Sequence, residues 1–210
     1  MIGGSLSCSC RVGEHVPKRV VITGGPGAGK TAVLGVVCRS FCEHVLVLPE
    51  AAGIIYGGGF PRRPGAPVRR AAQRAIYHVQ TELERIVLEE RVASVALCDR
   101  GTLDGVAYWP DAPDQLWREV GSTREAELAR YAAVIHLRTP SGRDYNHRNP
   151  LRIETVAEAA AIDERIVAAW SGHPRRFFVD SAKNFLDKVM HTLALIRAEV
   201  PACCELMRAG

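Results

Sequence analysis

Gly24-Gly25-Pro26-Gly27-Ala28-Gly29-Lys30-Thr31 is the stretch that decides the fold. It fits the pattern G-x-x-x-x-G-K-[ST], a loop whose backbone amides and lysine surround nucleotide phosphates. Just before it, Arg19-Val20-Val21-Ile22-Thr23 is a β-branched run that reads as a buried strand. Just after it, Ala32-Val33-Leu34-Gly35-Val36-Val37-Cys38 continues as a helix. Strand, glycine loop and helix together are the setting the pattern requires. Gly25, Gly27 and Gly29, with the small Ala28 between them, leave room for amide N–H groups to face phosphate oxygens. The first turn of the helix, with Lys30, Thr31 and Ala32, adds its positive end to the same anion site. Lys30 is expected to reach the β- and γ-phosphates, and the Thr31 hydroxyl to help hold Mg²⁺.

Composition narrows the class. The chain has 210 residues, enough for one α/β domain with a sizeable core. Its 47% apolar and 24% charged residues are ordinary for a globular protein. A formal charge of +4 suits anionic small molecules and is too weak to argue for nucleic acid. No apolar run approaches a membrane span, and no signal-peptide core opens the chain. Seven cysteines, an odd number spread through predicted core elements, read as reduced thiols of a cytoplasmic protein. Cys8-x-Cys10 and Cys203-Cys204 sit near the termini, and no Cys/His spacing makes a zinc site.

Further strands are expected at Val45–Leu48, Ser94–Cys98, Ala133–Arg138 and Arg176–Asp180, with helices between them. The longest amphipathic pattern runs from Val68 to Arg91. Strands alternating with helices predict a mostly parallel sheet covered on both faces, with ligands beyond the C-terminal strand ends. A single nucleotide-binding domain is expected over 17–202, between a flexible N-terminal tail (1–16) and a C-terminal tail (203–210).

The strand ends carry the remaining chemistry. Asp99 ends an apolar strand, where a phosphate-loop protein keeps an acid for Mg²⁺. Arg100 follows it, where many hydrolytic motors have a glutamate that activates water, and a cation there suits an anionic or polar acceptor. Glu50, just past Leu48, is placed to accept a proton from an acceptor hydroxyl; its alternative is a salt bridge to Arg62, Arg63 or Arg100, or the start of a helical turn. Arg138, Arg143, Arg148 and Arg152 lie in or beside a polar stretch. That stretch reads as a lid over about 139–152, with Arg143 and Arg148 deepest in it. Arg62 and Arg63, after Gly57-Gly58-Gly59, are candidates for an acceptor or anionic headgroup, with Arg69, Arg70 and Arg74 nearby. Ser181 and Ala182 are expected to line the purine. No N-K-x-D occurs, so nothing selects guanine.

Taken together, Gly24–Thr31, Leu48-Pro49-Glu50-Ala51-Ala52, Asp99-Arg100-Gly101, Tyr145-Asn146, Asn149-Pro150-Leu151-Arg152 and His173-Pro174 carry a resemblance. The chain resembles the P-loop kinase-like AAA-domain family that includes the nucleotide-binding part of the TRPL translocation defect protein. It is also similar to the ribosylnicotinamide kinase domain of NadR. The resemblance implies a three-layer α/β/α sandwich with a five-stranded parallel sheet of order 2-3-1-4-5, ATP or GTP with Mg²⁺, and a lid after the fourth strand. Relatives look like either small-molecule kinases or nucleotide-dependent regulators that bind lipid headgroups. The expected activity is transfer of the γ-phosphate of ATP to a small hydroxyl- or phosphate-bearing acceptor. The alternative is a nucleotide-dependent switch or slow NTPase that engages a phosphoinositide-like headgroup or a protein partner.

Overall fold

Val20, Val21 and Ile22 are fully buried because successive side chains of their strand point into two different cores. In the computed structural model, which describes residues 1–4, 6–8, 10, 13–139, 155–180 and 185–205, that strand is the centre of the sheet. The first strand of the chain, β1, is Ile2–Gly3, and the central one, β2, is Lys18–Thr23. Helix α1 (Lys30–Ser40) leads to β3 (Val45–Leu48), followed by α2 (Ala51–Gly57) and the long α3 (Ala66–Glu90). Strand β4 (Val95–Asp99) runs into a 3₁₀ segment at Thr102–Tyr108, then α4 (Pro113–Val120) and α5 (Arg124–Ala129). Last come β5 (Ala133–Leu137), α6 (Val156–Ala169), β6 (Arg176–Val179), α7 (Phe185–Arg197) and the short α8 (Ala202–Glu205).

The strands lie in the order β1-β3-β4-β2-β5-β6. From β3 to β6 all pairings are parallel, which is the expected five-strand order. The sheet nevertheless has six strands. Ile2 and Gly3 pair antiparallel with Val47 and Leu46, so the edge is mixed rather than purely parallel. Two residues are too few to show periodicity, so a strand that covers the open edge of β3 reads as a loose tail in the sequence.

On one face Val20, Ile22, Leu97 and Ile135 pack against Val33 and Val37 of α1 and Ile196 of α7. On the other, Val21, Ala96, Cys98 and Val134 pack against Val87 of α3, Leu103, Leu116 and Trp170. The result is a three-layer α/β/α sandwich. Its register sets Ile22 beside Asp99, and Thr23 beside His136, at the end where the glycine loop begins. Among the described residues, no helix is long and apolar enough to cross a membrane.

Candidate functional site

Backbone crowding dictates the glycines of the loop. Gly24 adopts φ 136°, and a Cβ there would lie 2.1 Å from the Leu137 carbonyl oxygen. At Gly25 a Cβ would meet Asp163 Cβ at 2.9 Å and the Ala159 carbonyl at 3.0 Å. Helix α6 can therefore press directly on the loop, and the Gly25 amide donates to Asp163 Oδ1 at 2.7 Å. Gly29 supplies the left-handed residue (φ 91°) before α1 starts at Lys30. Thr31 and Ala32 are exposed in the first turn, and Ala28 is buried beneath it.

Lys30 is only 9% exposed, and its Nζ donates to the carbonyls of Gly24 (2.9 Å) and Gly25 (3.2 Å). Burial, with the positive Arg100 adding to it, brings its pKa down to about 8. A second buried ammonium supports the loop: Lys188 of α7 donates to Ala28 O at 2.9 Å and Arg138 O at 2.7 Å.

Asp99 stands at the end of β4, and its Oδ1 is buried with no hydrogen-bond partner. Burial drives its pKa up to about 6, partly countered by Lys30. A carboxylate oxygen with no hydrogen-bond donor, close enough to feel the charge of Lys30 at the start of α1, fits a small, hard cation such as Mg²⁺.

Arg100 takes a left-handed conformation (φ 73°), uncommon for a residue with a side chain. Its Nε donates to Glu50 Oε1 at 2.6 Å, its Nη1 to Gly24 O at 3.3 Å, and its guanidinium sits 5.7 Å from the Tyr108 ring centroid. Burial opposes the charge of Glu50, but Arg100 and Lys30 outweigh it and hold the carboxyl below its ordinary value. The structure therefore brings Lys30, Glu50, Asp99 and Arg100 together around the loop. Glu50 is engaged by Arg100 rather than standing alone.

Two carboxylates were not singled out in the sequence. Asp104 accepts from Thr23 Oγ1 (2.5 Å), the Gly101 amide (2.9 Å) and Trp170 Nε1 (3.1 Å), which ties the end of β2 to the turn after β4. Asp163 accepts from the Gly25 amide, from His136 Nε2 at 2.9 Å and from Arg138 Nη1 at 3.4 Å. A signal for Asp163 was present: it lies on the apolar stripe of α6 with Ala159, Ile162 and Ile166, where an acid needs a partner.

The arginines of α3 have partners within the fold. Arg69 donates to the Tyr108 carbonyl at 2.8 Å, Arg70 makes a two-point pair with Asp111 (2.6 and 3.0 Å), and Arg74 pairs with Glu119. These contacts fasten α3 to the segment around α4. Arg62 and Arg63 are exposed, with the Arg62 guanidinium 5.1 Å from the Tyr56 ring centroid. Arg143, Arg148 and all of the expected lid except Thr139 lie outside the described residues, as do Ser181 and Ala182.

A family profile described as "AAA domain" matches residues 19–188. Among solved structures, the chain is similar to thymidylate kinase from Candida albicans, with a TM-score of 0.62 and 13% identity. That match covers 87% of this chain and 91% of the other. It is also similar to NadR in complex with NR, with a TM-score of 0.65 and 12% identity, covering 89% of this chain and 52% of that one. The chain thus spans about half the length of NadR. No curated protein sequence matches it.

Proposed function

Since the chain belongs to the AAA-domain family matched over residues 19–188 and has a P-loop kinase-like fold, we propose that it is a phosphotransferase. It would move the γ-phosphate of ATP, or of GTP as the alternative donor, to a small hydroxyl- or phosphate-bearing acceptor. The observation that carries this reading is the Glu50–Arg100 pair, 2.6 Å apart and resting on the Gly24 carbonyl through Arg100. A cation after the Asp99 acid favours binding an anion or polar group over polarising water. The names of the two similar structures direct the acceptor search toward nucleosides and nucleotides.

In this reading the loop amides and Lys30 bind the donor phosphates. An anionic group of the acceptor competes for Arg100 and frees the Glu50 carboxylate. The acceptor oxygen forms a bond to the γ-phosphorus as the bond to the β,γ-bridging oxygen breaks, and ADP departs with that electron pair. A hydroxyl proton passes to Glu50. A phosphate acceptor has no such proton to lose. Thr31 and Asp99 would hold Mg²⁺, which offsets charge on the phosphate oxygens when bound. Arg143 and Arg148 are proposed to neutralise the transferring group from the lid, Ser181 and Ala182 to line the base, and Arg62 and Arg63 to meet the acceptor.

The test is ADP release from ATP and Mg²⁺ against a panel of nucleosides, nucleotides and sugar or inositol phosphates. Acceptor-dependent release that is lost in Glu50→Gln, with nucleotide affinity retained, supports the kinase. Release indifferent to every acceptor and to that substitution sinks it in favour of a slow NTPase or a nucleotide-dependent switch.

A further inference from the structure

The other end of the sheet gathers residues that lie far apart in the chain. Cys8, Cys42, His44 and Cys204 place their ligand atoms within 4.8 Å of one another. Cys10 and His15 form a second grouping with the same His44 and Cys204. The sequence offers no zinc spacing because the ligands come from three separate segments. Those segments are the stretch after β1, the turn between α1 and β3, and the C-terminal α8. We propose that Cys8, Cys42, His44 and Cys204 form a structural zinc site that fastens both ends of the chain to the sheet.

The donor set is the first argument. Three sulfurs and one imidazole nitrogen are one of the usual closed ligand sets for zinc. With Zn–S near 2.3 Å, tetrahedral geometry sets neighbouring sulfurs about 3.8 Å apart, so a cluster confined within 4.8 Å needs little contraction. Cys204 Sγ already lies 3.4 Å from His44 Nδ1.

The second argument is the backbone that holds the donors. The Val45 amide donates to Cys42 O at 3.0 Å, closing the turn that presents Cys42 and His44 together. Leu6 bridges to Cys42, the Leu6 amide donates to Phe41 O at 3.4 Å, and the Glu43 amide donates to Leu6 O at 3.1 Å. The Cys8 amide donates to Glu43 Oε1 at 3.3 Å. Approach is so close that a Cβ on Gly4 would lie 2.2 Å from Cys42 O, so this segment lies tight against the turn. On the far side the Cys204 amide donates to Pro201 O at 2.8 Å.

Donor chemistry rather than burial separates the two groupings, which share His44 and Cys204 and are buried alike: the first offers three sulfurs to the ion and the second two. Cys42 is 1% exposed and Cys204 3%, and both belong to the apolar core beside α1 and α7. A buried position that excludes water suits a structural ion. His15 is buried as well; its ring is tilted against that of His44 with centroids 4.6 Å apart, and its Nε2 lies 3.9 Å from Cys10 Sγ. Cys10 and His15 thus face each other, and with His44 and Cys204 they are the competing ligand set that the variants below distinguish.

The experiment uses the full chain purified under reducing conditions without chelator, with zinc measured by mass spectrometry and by a chromophoric indicator. The expected content is about one zinc per chain. Cobalt titrated in place of zinc should give intense tetrahedral d–d bands and thiolate charge-transfer absorption. Cys42→Ser and Cys204→Ser should each bind under about a tenth as much metal, while Cys38→Ser and Cys10→Ser bind as the parent does. The cobalt spectrum of the parent protein tests the site even if those variants fold poorly. Substoichiometric zinc together with a cobalt spectrum lacking thiolate bands overturns the proposal, as does a disulfide among these cysteines under the same reducing conditions. Metal lost in Cys10→Ser or His15→Ala but kept in Cys8→Ser and Cys42→Ser overturns the ligand set.

Discussion

The glycine-loop end of the sheet and the layer beneath it treat buried charge in opposite ways. Around the loop, Asp99 Oδ1 has no hydrogen-bond partner and Lys30 is brought down to about 8 by burial. Farther down, Glu84 of α3 is fully buried yet saturated. It accepts from Arg19 (3.2 Å), Arg130 (2.6 Å), the Tyr131 hydroxyl (2.8 Å) and Gln80 (3.0 Å). A charge with all its partners inside the fold has nothing left for a ligand. Charges left short of partners cost stability and are retained where something else completes them. The contrast separates a carboxylate satisfied within the fold from one with an oxygen left without a donor.

The first way to break that contrast is Glu84→Ala. It removes the carboxylate shared by two arginines and a buried hydroxyl, and is expected to lower unfolding free energy by about 3–5 kcal/mol in denaturant titrations. A loss under about 1 kcal/mol would show that the network is not structural.

Lys30→Ala should do the reverse. Triphosphate affinity is expected to fall by about 100-fold in calorimetry, or about 2.7 kcal/mol. Stability should hold or rise, because a buried ammonium is removed. An unchanged affinity would detach the loop from phosphate binding.

The third test is pH. The folded pKa of Asp99 lies near 6, above its ordinary 3.8. Between those values the native chain keeps a proton that the unfolded chain has released. The contribution of Asp99 to stability therefore declines as pH rises through this window. Metal binding has the opposite dependence, since it needs the carboxylate. Mg²⁺ affinity is expected to fall about tenfold per pH unit below about 6, and Asp99→Asn should flatten that profile. A profile equally steep in the variant would assign the proton elsewhere.

The smallest effect is expected at Arg62, which is exposed on the loop before α3. Arg62→Ala should change stability by less than about 0.5 kcal/mol and raise the acceptor KM by about threefold, leaving donor binding unchanged. Equal losses for donor and acceptor would remove it from the acceptor side.

Much of the nucleotide end was legible because its signals are local. A β-branched strand, a glycine loop and a helix occupy consecutive residues, and the parallel order of the five main strands follows from alternating elements of ordinary length. Asp99 and Glu50 could be read from their places just past apolar runs. The partner of Glu50 could not, because Arg62, Arg63 and Arg100 were equally available until the fold set Arg100 at 2.6 Å. The partners of Arg70 and Arg74 were hidden for a related reason: Asp111 and Glu119 lie about 40 residues on and meet them only through packing.

By itself, then, the sequence determined the phosphate loop, the layered α/β architecture and the end of the sheet where charge collects. These depend on residues adjacent in the chain or repeated at the period of a strand or helix. The tertiary structure alone decided that Ile2–Gly3 closes the edge of β3 and that Asp163 grips the loop. It also decided that Cys204 meets His44 across 160 positions. Such contacts arise where separate segments are carried to one place by the packing of everything between them, and no local pattern encodes that distance.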